Sequence, residues 1–179
     1  MGKTEIRICG LGGQGVVLMG QILGKAAAYE GKNVVQTQSY GAEARGSAAK
    51  SEIIISDGKI GFPFVRKCDI LIAMSQEALE KNIESLKENG ILIFDNSAIK
   101  DAPKIKAKVY AIPATSIAEK SFGQKIYANM IMLSALTKIT NLVKRETVKK
   151  VIKEVVDKKT LDKNLRAYDE GEKLVNENL

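Results

Sequence analysis

Residues 5–30, EIRICGLGGQGVVLMGQILGKAAAYE, decide how the chain is read. Glu5, Arg7 and the apolar residues between them alternate and then run into glycine, predicting a strand over 5–9. From Val16 onward Val17, Leu18, Ile22, Leu23, Ala26 and Ala27 recur at helical spacing, predicting a helix to about Glu30. Gly31 then closes that helix in the usual C-terminal position. Between strand and helix, Gly10, Gly12 and Gly15 stand in the spacing G-x-G-x-x-G. The first glycine of that pattern permits a tight turn, and the second lets a ligand approach the backbone. The third lets helix and strand pack, leaving helix N–H groups facing outward at a partly positive terminus. The loop therefore points to an anionic or polar ligand, with a turn needed only for packing as the alternative.

Working outward, 33–38 reads as a second strand, and parallel pairing with the first through the helix makes a right-handed βαβ unit. A polar loop, SYGAEARGSAAK (39–50), separates it from a strong strand at 51–56, ended by Asp57-Gly58. Residues 60–65, with Pro63, suggest a short irregular edge. A strand at 69–73 leads into a helix over 76–88 capped by Ser75, then strands at 91–94 and 109–112. Pro113 shuts off the last. Helical patterns follow at 116–122, 124–139, 147–156 and 161–176. The expected fold class is α/β: a single doubly wound, mostly parallel sheet with helices on both faces and a helical C-terminal tail.

Composition narrows the chemistry. The 179 residues fit one domain, 1–179, and 45% hydrophobic content suits an ordinary globular protein. No apolar run approaches the roughly 18 residues of a membrane span, and the N-terminus enters a strand at once. A cytoplasmic location is expected, with no membrane and no nucleic acid among the partners. Histidine is absent, which removes the commonest general base and the usual metal ligand. The two cysteines, Cys9 and Cys68, read as buried small hydrophobes, too few for a cluster or a structural zinc. Neither a catalytic residue nor a metal ligand is assigned. The net charge of +7 is uneven: 1–99 is balanced, whereas 100–166 holds 16 Lys and Arg against six Asp and Glu. Most of these lysines fit the solvated faces of helices, with an acidic protein partner as the functional alternative.

The glycine loop does not establish a nicotinamide cofactor. A dinucleotide site needs an acid at the end of the second strand for the ribose hydroxyls, and Val35-Gln36-Thr37-Gln38 offers none. Gln14 adds an amide to the loop, expected at its tip. The segment 40–47, YGAEARGS, leaves the carboxyl end of the second strand and so belongs on the same rim as the glycines. Arg45 offers a planar donor fork for carboxylate or phosphate, Tyr40 a flat face with a hydroxyl, and Glu43 an orienting partner for Arg45. A bare Glu43–Arg45 surface pair is the alternative. The candidate binding residues are Gly12, Gly13, Gln14, Gly15, Tyr40, Gly41, Glu43, Arg45 and Gly46.

RICGLGGQGVVLMGQILGKAA (7–27) and TQSYGAEARGSAAKSEIIISD (37–57) together resemble the gamma subunit of 2-oxoacid:ferredoxin oxidoreductases. DILIAMSQEAL (69–79), ANMIMLSAL (128–136) and NLRAYDEGEKL (164–174) extend that resemblance over essentially the whole chain. The wording of the second signature is more similar to the 2-oxoglutarate branch than to the pyruvate branch, and Ser47 replaces a second glycine usual there. The resemblance implies a multi-subunit enzyme that converts a 2-oxoacid and coenzyme A to acyl-CoA and carbon dioxide and reduces ferredoxin. It implies alpha, beta and ferredoxin-like delta partner subunits. Thiamine diphosphate, magnesium and iron–sulfur clusters would sit on those partners, and none would be held by this chain alone. Coenzyme A would lie at the interface, near the rim of Gly12–Gly15 and residues 40–46. Other readings are a scaffold subunit, an indolepyruvate or branched-chain complex, and a free-standing nucleotide-binding oxidoreductase.

Overall fold

The computed structural model describes residues 2–41 and 47–178. The chain runs β1 (Lys3–Leu11), α1 (Val16–Tyr29), β2 (Asn33–Tyr40), β3 (Ala48–Ser56), β4 (Cys68–Ala73), α2 (Gln76–Asn82), β5 (Leu86–Asp95) and β6 (Lys108–Ile112). Helices α3 (Ala114–Phe122), α4 (Ala128–Thr140), α5 (Arg145–Val155) and α6 (Leu161–Asn178) follow. The six strands form one mixed sheet in the order β2-β3-β1-β4-β5-β6. Strands β1, β4, β5 and β6 pair in parallel, while β3 runs antiparallel to both β1 and β2.

That order corrects one expectation. β1 and β2 point the same way, but β3 lies between them, so the expected parallel pair never forms. The inserted strand binds both neighbours along its length, with Ile53 opposite Ile6 on one side and Gln36 on the other. Its run Ile53-Ile54-Ile55 is buried on both faces, which suits the interior of a sheet and not its edge.

A second expectation overshot. The helix predicted over 76–88 ends at Asn82, and a 3₁₀ turn, Ile83–Ser85, leads into β5. The Asn82 amide donates to the Ala78 carbonyl (2.8 Å) and the Ser85 hydroxyl to the Asn82 carbonyl (2.5 Å). These bonds claim the carbonyls of the last turn, and Leu86 already pairs with Cys68 of β4. Ser75 caps α2 as its position predicted, accepting from the Ala78 N–H at 3.3 Å. Residues 60–65 form an irregular crossing with no strand pairing.

The two faces of the sheet are covered unequally. Ile6, Ile8, Ile53, Ile55, Ile70 and Ile93 point into a large core shared with α1, α3, α4, α5 and α6. The opposite face, with Cys9, Ile54, Leu71, Leu92 and Phe94, is closed by α2 and by irregular segments carrying Val65 and Ile99. On that thinner face Arg7 and Glu52 form a buried ion pair (Nε to Oε1, 2.8 Å), and Arg7 also donates to the Val65 carbonyl at 2.7 Å. No helix among the described residues is long and apolar enough to cross a membrane.

Candidate functional site

Helix α1 leaves β1 toward one face of the sheet and α2 leaves β4 toward the other, although β1 and β4 are neighbours. In an open α/β sheet the crevice beyond the carboxyl ends of two such strands is where ligands bind. The glycine loop occupies that position. Its turn is closed by the Gln14 N–H donating to the Leu11 carbonyl (3.1 Å).

The Gln14 side chain does not stand at the loop tip. It turns into the crevice, where its Oε1 accepts from the Leu11 N–H (2.7 Å) and its Nε2 donates to the Met74 carbonyl (2.9 Å). One amide thus ties the end of β1 to the chain leaving β4. Gly10 makes room for it: a Cβ there would come within 2.5 Å of Gln14 Oε1. Gln14→Ala strips a partner from both backbone groups and is expected to cost about 1–3 kcal/mol. A shifted urea midpoint measures this; an unmoved midpoint would show that the brace carries no weight.

Gly15 begins α1 at φ 75°, and neither a side-chain cap nor an acid in the first turn satisfies that helix terminus. Beside it stands the first turn of α4, also without a side-chain cap or acid. Asn129 of α4 is 2% exposed, its Nδ2 would lie 2.1 Å from a Cβ on Gly15, and its Oδ1 is buried with no hydrogen-bond partner. The uncapped, partly positive start of α1 therefore meets an unsatisfied amide from the first turn of α4, a helix entered through the 3₁₀ turn Lys125–Tyr127, whose carbonyls already take the Ala128 N–H. Sequence reasoning missed Asn129. The available signal was a lone amide in the otherwise apolar stretch ANMIMLSAL.

On the other side of the loop, the Gly12 N–H donates to the Ser47 carbonyl (2.8 Å) and the Gly41 N–H to the Ala48 carbonyl (2.7 Å). The first bond ties the Ser47 end to the glycine turn, and the second joins the two flanking strand ends. Tyr40 is 61% exposed there. A cavity of about 290 Å³ opens between these strand ends and α2, lined by Gly10, Leu11, Tyr40, Gly41, Lys50 and Lys81 among others. Of the predicted residues, Gly12, Gly13, Gln14, Gly15, Tyr40 and Gly41 come together on one rim. Glu43, Arg45 and Gly46 lie outside the described residues.

The donor set does not fit a metal ion or an iron–sulfur cluster. Among the described residues no three His, Cys, Asp or Glu side chains gather to hold a metal. Cys9 and Cys68 are both buried, and the Cys9 thiol donates to the Ile72 and Ala78 carbonyls (3.3 and 3.5 Å). Burial pushes the Cys9 thiol up to about 12, so it stays protonated and a poor ligand.

With this geometry in view, comparison with known proteins is specific. The chain belongs to the pyruvate ferredoxin/flavodoxin oxidoreductase family, whose description matches residues 5–174. It is 46% identical to 2-oxoglutarate synthase subunit KorC of Methanocaldococcus jannaschii, over 98% of this chain and 95% of that protein. Among solved structures it is similar to the gamma subunit of a keto/oxoacid ferredoxin oxidoreductase from Geobacter sulfurreducens. There the identity is 38% and the TM-score 0.86, covering 97% of this chain and 99% of that one. It also matches 2-oxoglutarate:ferredoxin oxidoreductase from Magnetococcus marinus with 2-oxoglutarate, coenzyme A and succinyl-CoA bound. The identity is 26% and the TM-score 0.89, over 99% of this chain and 32% of the larger one.

Proposed function

We propose that the chain is the gamma subunit of a 2-oxoglutarate:ferredoxin oxidoreductase, one unit spanning 1–179 that works in the cytoplasm beside alpha, beta and ferredoxin-like delta subunits. The supporting observation is the nearly end-to-end match to a 2-oxoglutarate synthase subunit of the same length class. The complex oxidatively decarboxylates 2-oxoglutarate with coenzyme A, giving succinyl-CoA, carbon dioxide and reduced ferredoxin. Thiamine diphosphate, magnesium and the clusters belong to the companion subunits, since the described donors here suit none of them.

In this reading the rim of Gly12, Gly13, Gly15, Tyr40 and Gly41 faces the catalytic subunits and the acyl acceptor. The uncapped start of α1 supplies a positive field, and Asn129 Oδ1 is an unspent acceptor for a polar group of the ligand. Arg45, with Glu43 to orient it and Gly46 beside it, neutralises a phosphate or carboxylate. Gln14 acts from behind, as the brace that sets the loop. The test is reconstitution with companion subunits and assay over a panel of 2-oxoacids. Arg45→Ala is expected to assemble normally and to lose at least tenfold in kcat/KM for coenzyme A or 2-oxoglutarate, a change of about 1.4 kcal/mol or more. Unchanged dependence on both would make the rim a scaffold surface only.

A further inference from the structure

The segment 57–67 joins the end of β3 to the start of β4, at the end of the sheet where Lys3 and Glu5 open β1 and therefore opposite the glycine rim. It is held down by buried Val65, whose carbonyl accepts from Arg7, and by Ile60 packed beneath. Between these anchors Phe62 and Phe64 stand 49% and 54% exposed, edge to face with ring centres 5.5 Å apart. They are two of only four phenylalanines in the chain. The Arg66 guanidinium lies 5.1 Å from the Phe62 ring centre. The rings, Arg66, Lys67, Lys3 and Glu5 line an open cavity of about 330 Å³.

The lining of this cavity is predominantly basic. Glu5 is engaged by Lys3 (3.0 Å) and Lys87 (2.9 Å), Asp69 by Lys87 (2.9 Å), and Asp57 by Lys32. Among the described residues Arg66 and Lys59 carry no ion pair, and the Lys67 ammonium meets only the Glu84 carbonyl. Glu84 and Glu88, near the same end of the sheet, likewise have no ion pair among the described residues, but the cavity lining itself, with Lys3, Arg66, Lys67 and the already engaged Glu5, is net cationic. Rigidly mounted aromatic rings beside an arginine, with water-exposed charges around them, are the composition of a binding hot spot. A loop held at both ends loses little freedom when it docks.

We propose that Phe62, Phe64 and Arg66 form a docking anchor for a companion subunit of the complex, one presenting an apolar socket rimmed by carboxylates. The proposal rests on the reading of the chain as a subunit, but uses a surface remote from the glycine rim. The anchor grips the assembly at one end of the sheet and leaves the rim at the other end free to face the acyl acceptor.

The test titrates the full chain against its purified companion subunits by size exclusion and fluorescence anisotropy, at low and high salt. The parent is expected to bind and to weaken about tenfold or more as salt screens the cations. Phe62→Ser/Phe64→Ser should weaken binding about 100-fold and Arg66→Glu about tenfold or more. Each should keep the parental melting curve, because these side chains are exposed. Variants that bind as tightly as the parent would overturn the anchor and leave the subunit reading intact, whereas a parent that binds no companion overturns both. Two further results would overturn the choice of partner. One is loss of a homodimer of the chain in the Phe variants; the other is loss of binding to a labelled single-stranded oligonucleotide.

Discussion

Gly15→Ala lowers the unfolding free energy by about 2–5 kcal/mol, a large share of the roughly 5–15 kcal/mol that holds such a domain together. Two costs add. Gly15 sits at φ 75°, where a Cβ crowds the following carbonyl at roughly 1–2 kcal/mol. The new methyl also lies 2.1 Å from Asn129 Nδ2 and 2.9 Å from its Cγ, so the buried amide must swing aside or α1 and α4 must part, an overpacking cost of about 1–3 kcal/mol. The second cost is separable. Asn129→Ala removes the amide that the methyl strikes, so Gly15→Ala/Asn129→Ala should recover most of the overpacking and leave the backbone part. Urea titration of the two single variants and the double variant gives the coupling directly. A double variant no more stable than Gly15→Ala alone would show that the two helix ends do not meet as described.

Arg7→Ala is the second large effect, about 3 kcal/mol. Arg7 and Glu52 are both buried on the thin face of the sheet, and deleting one partner leaves the other charge enclosed. Lys50, 3.3 Å from Glu52, remains and keeps the loss near the low end of the usual range of about 3–5 kcal/mol. Replacing both ions by apolar groups, Arg7→Met/Glu52→Met, should restore near-parental stability, because no orphaned charge survives. Arg7→Ala also removes the donor to the Val65 carbonyl, so residues 57–67 should be cut faster by trypsin at Arg66 and Lys67. Equal cutting rates in parent and variant would mean that Arg7 does not fasten this segment.

The elements were largely legible in the sequence, and their order in the sheet was not. Sequence pattern found β1, α1, β2, β3 and β4 within a few residues because each is an apolar or periodic run bounded by glycine or polar turn residues. SEIIIS reads as an interior strand, however, without saying which strands flank it, and only pairing partners distant in sequence decide that. The helix after Ser75 was drawn too long because Ile83 and Leu86 continue its spacing, while the competing bonds of Asn82 and Ser85 leave no periodic trace. At the rim the glycine spacing fixed the turn. The direction of Gln14 depended on the space above Gly10 and the nearness of Met74, both tertiary facts. Asn129 lies more than a hundred residues from the loop it abuts, and nothing in its local pattern announces that contact.

The strand inserted between β1 and β2 constrains how the chain reaches its final form. Residues 1–40 leave the ribosome before β3 and hold two codirectional strands joined by a helix, the unit that ordinarily closes on itself by direct pairing. Here that early closure is an error, since β3 must later occupy the slot and bond along both edges. A prematurely paired β1–β2 species is thus a trap that must reopen before residue 56 can complete the sheet, and refolding of the isolated chain is expected to carry a slow phase from it. Strengthening direct β1–β2 contacts, for example with more β-branched residues on β2, would raise strand propensity yet slow the approach to the native state.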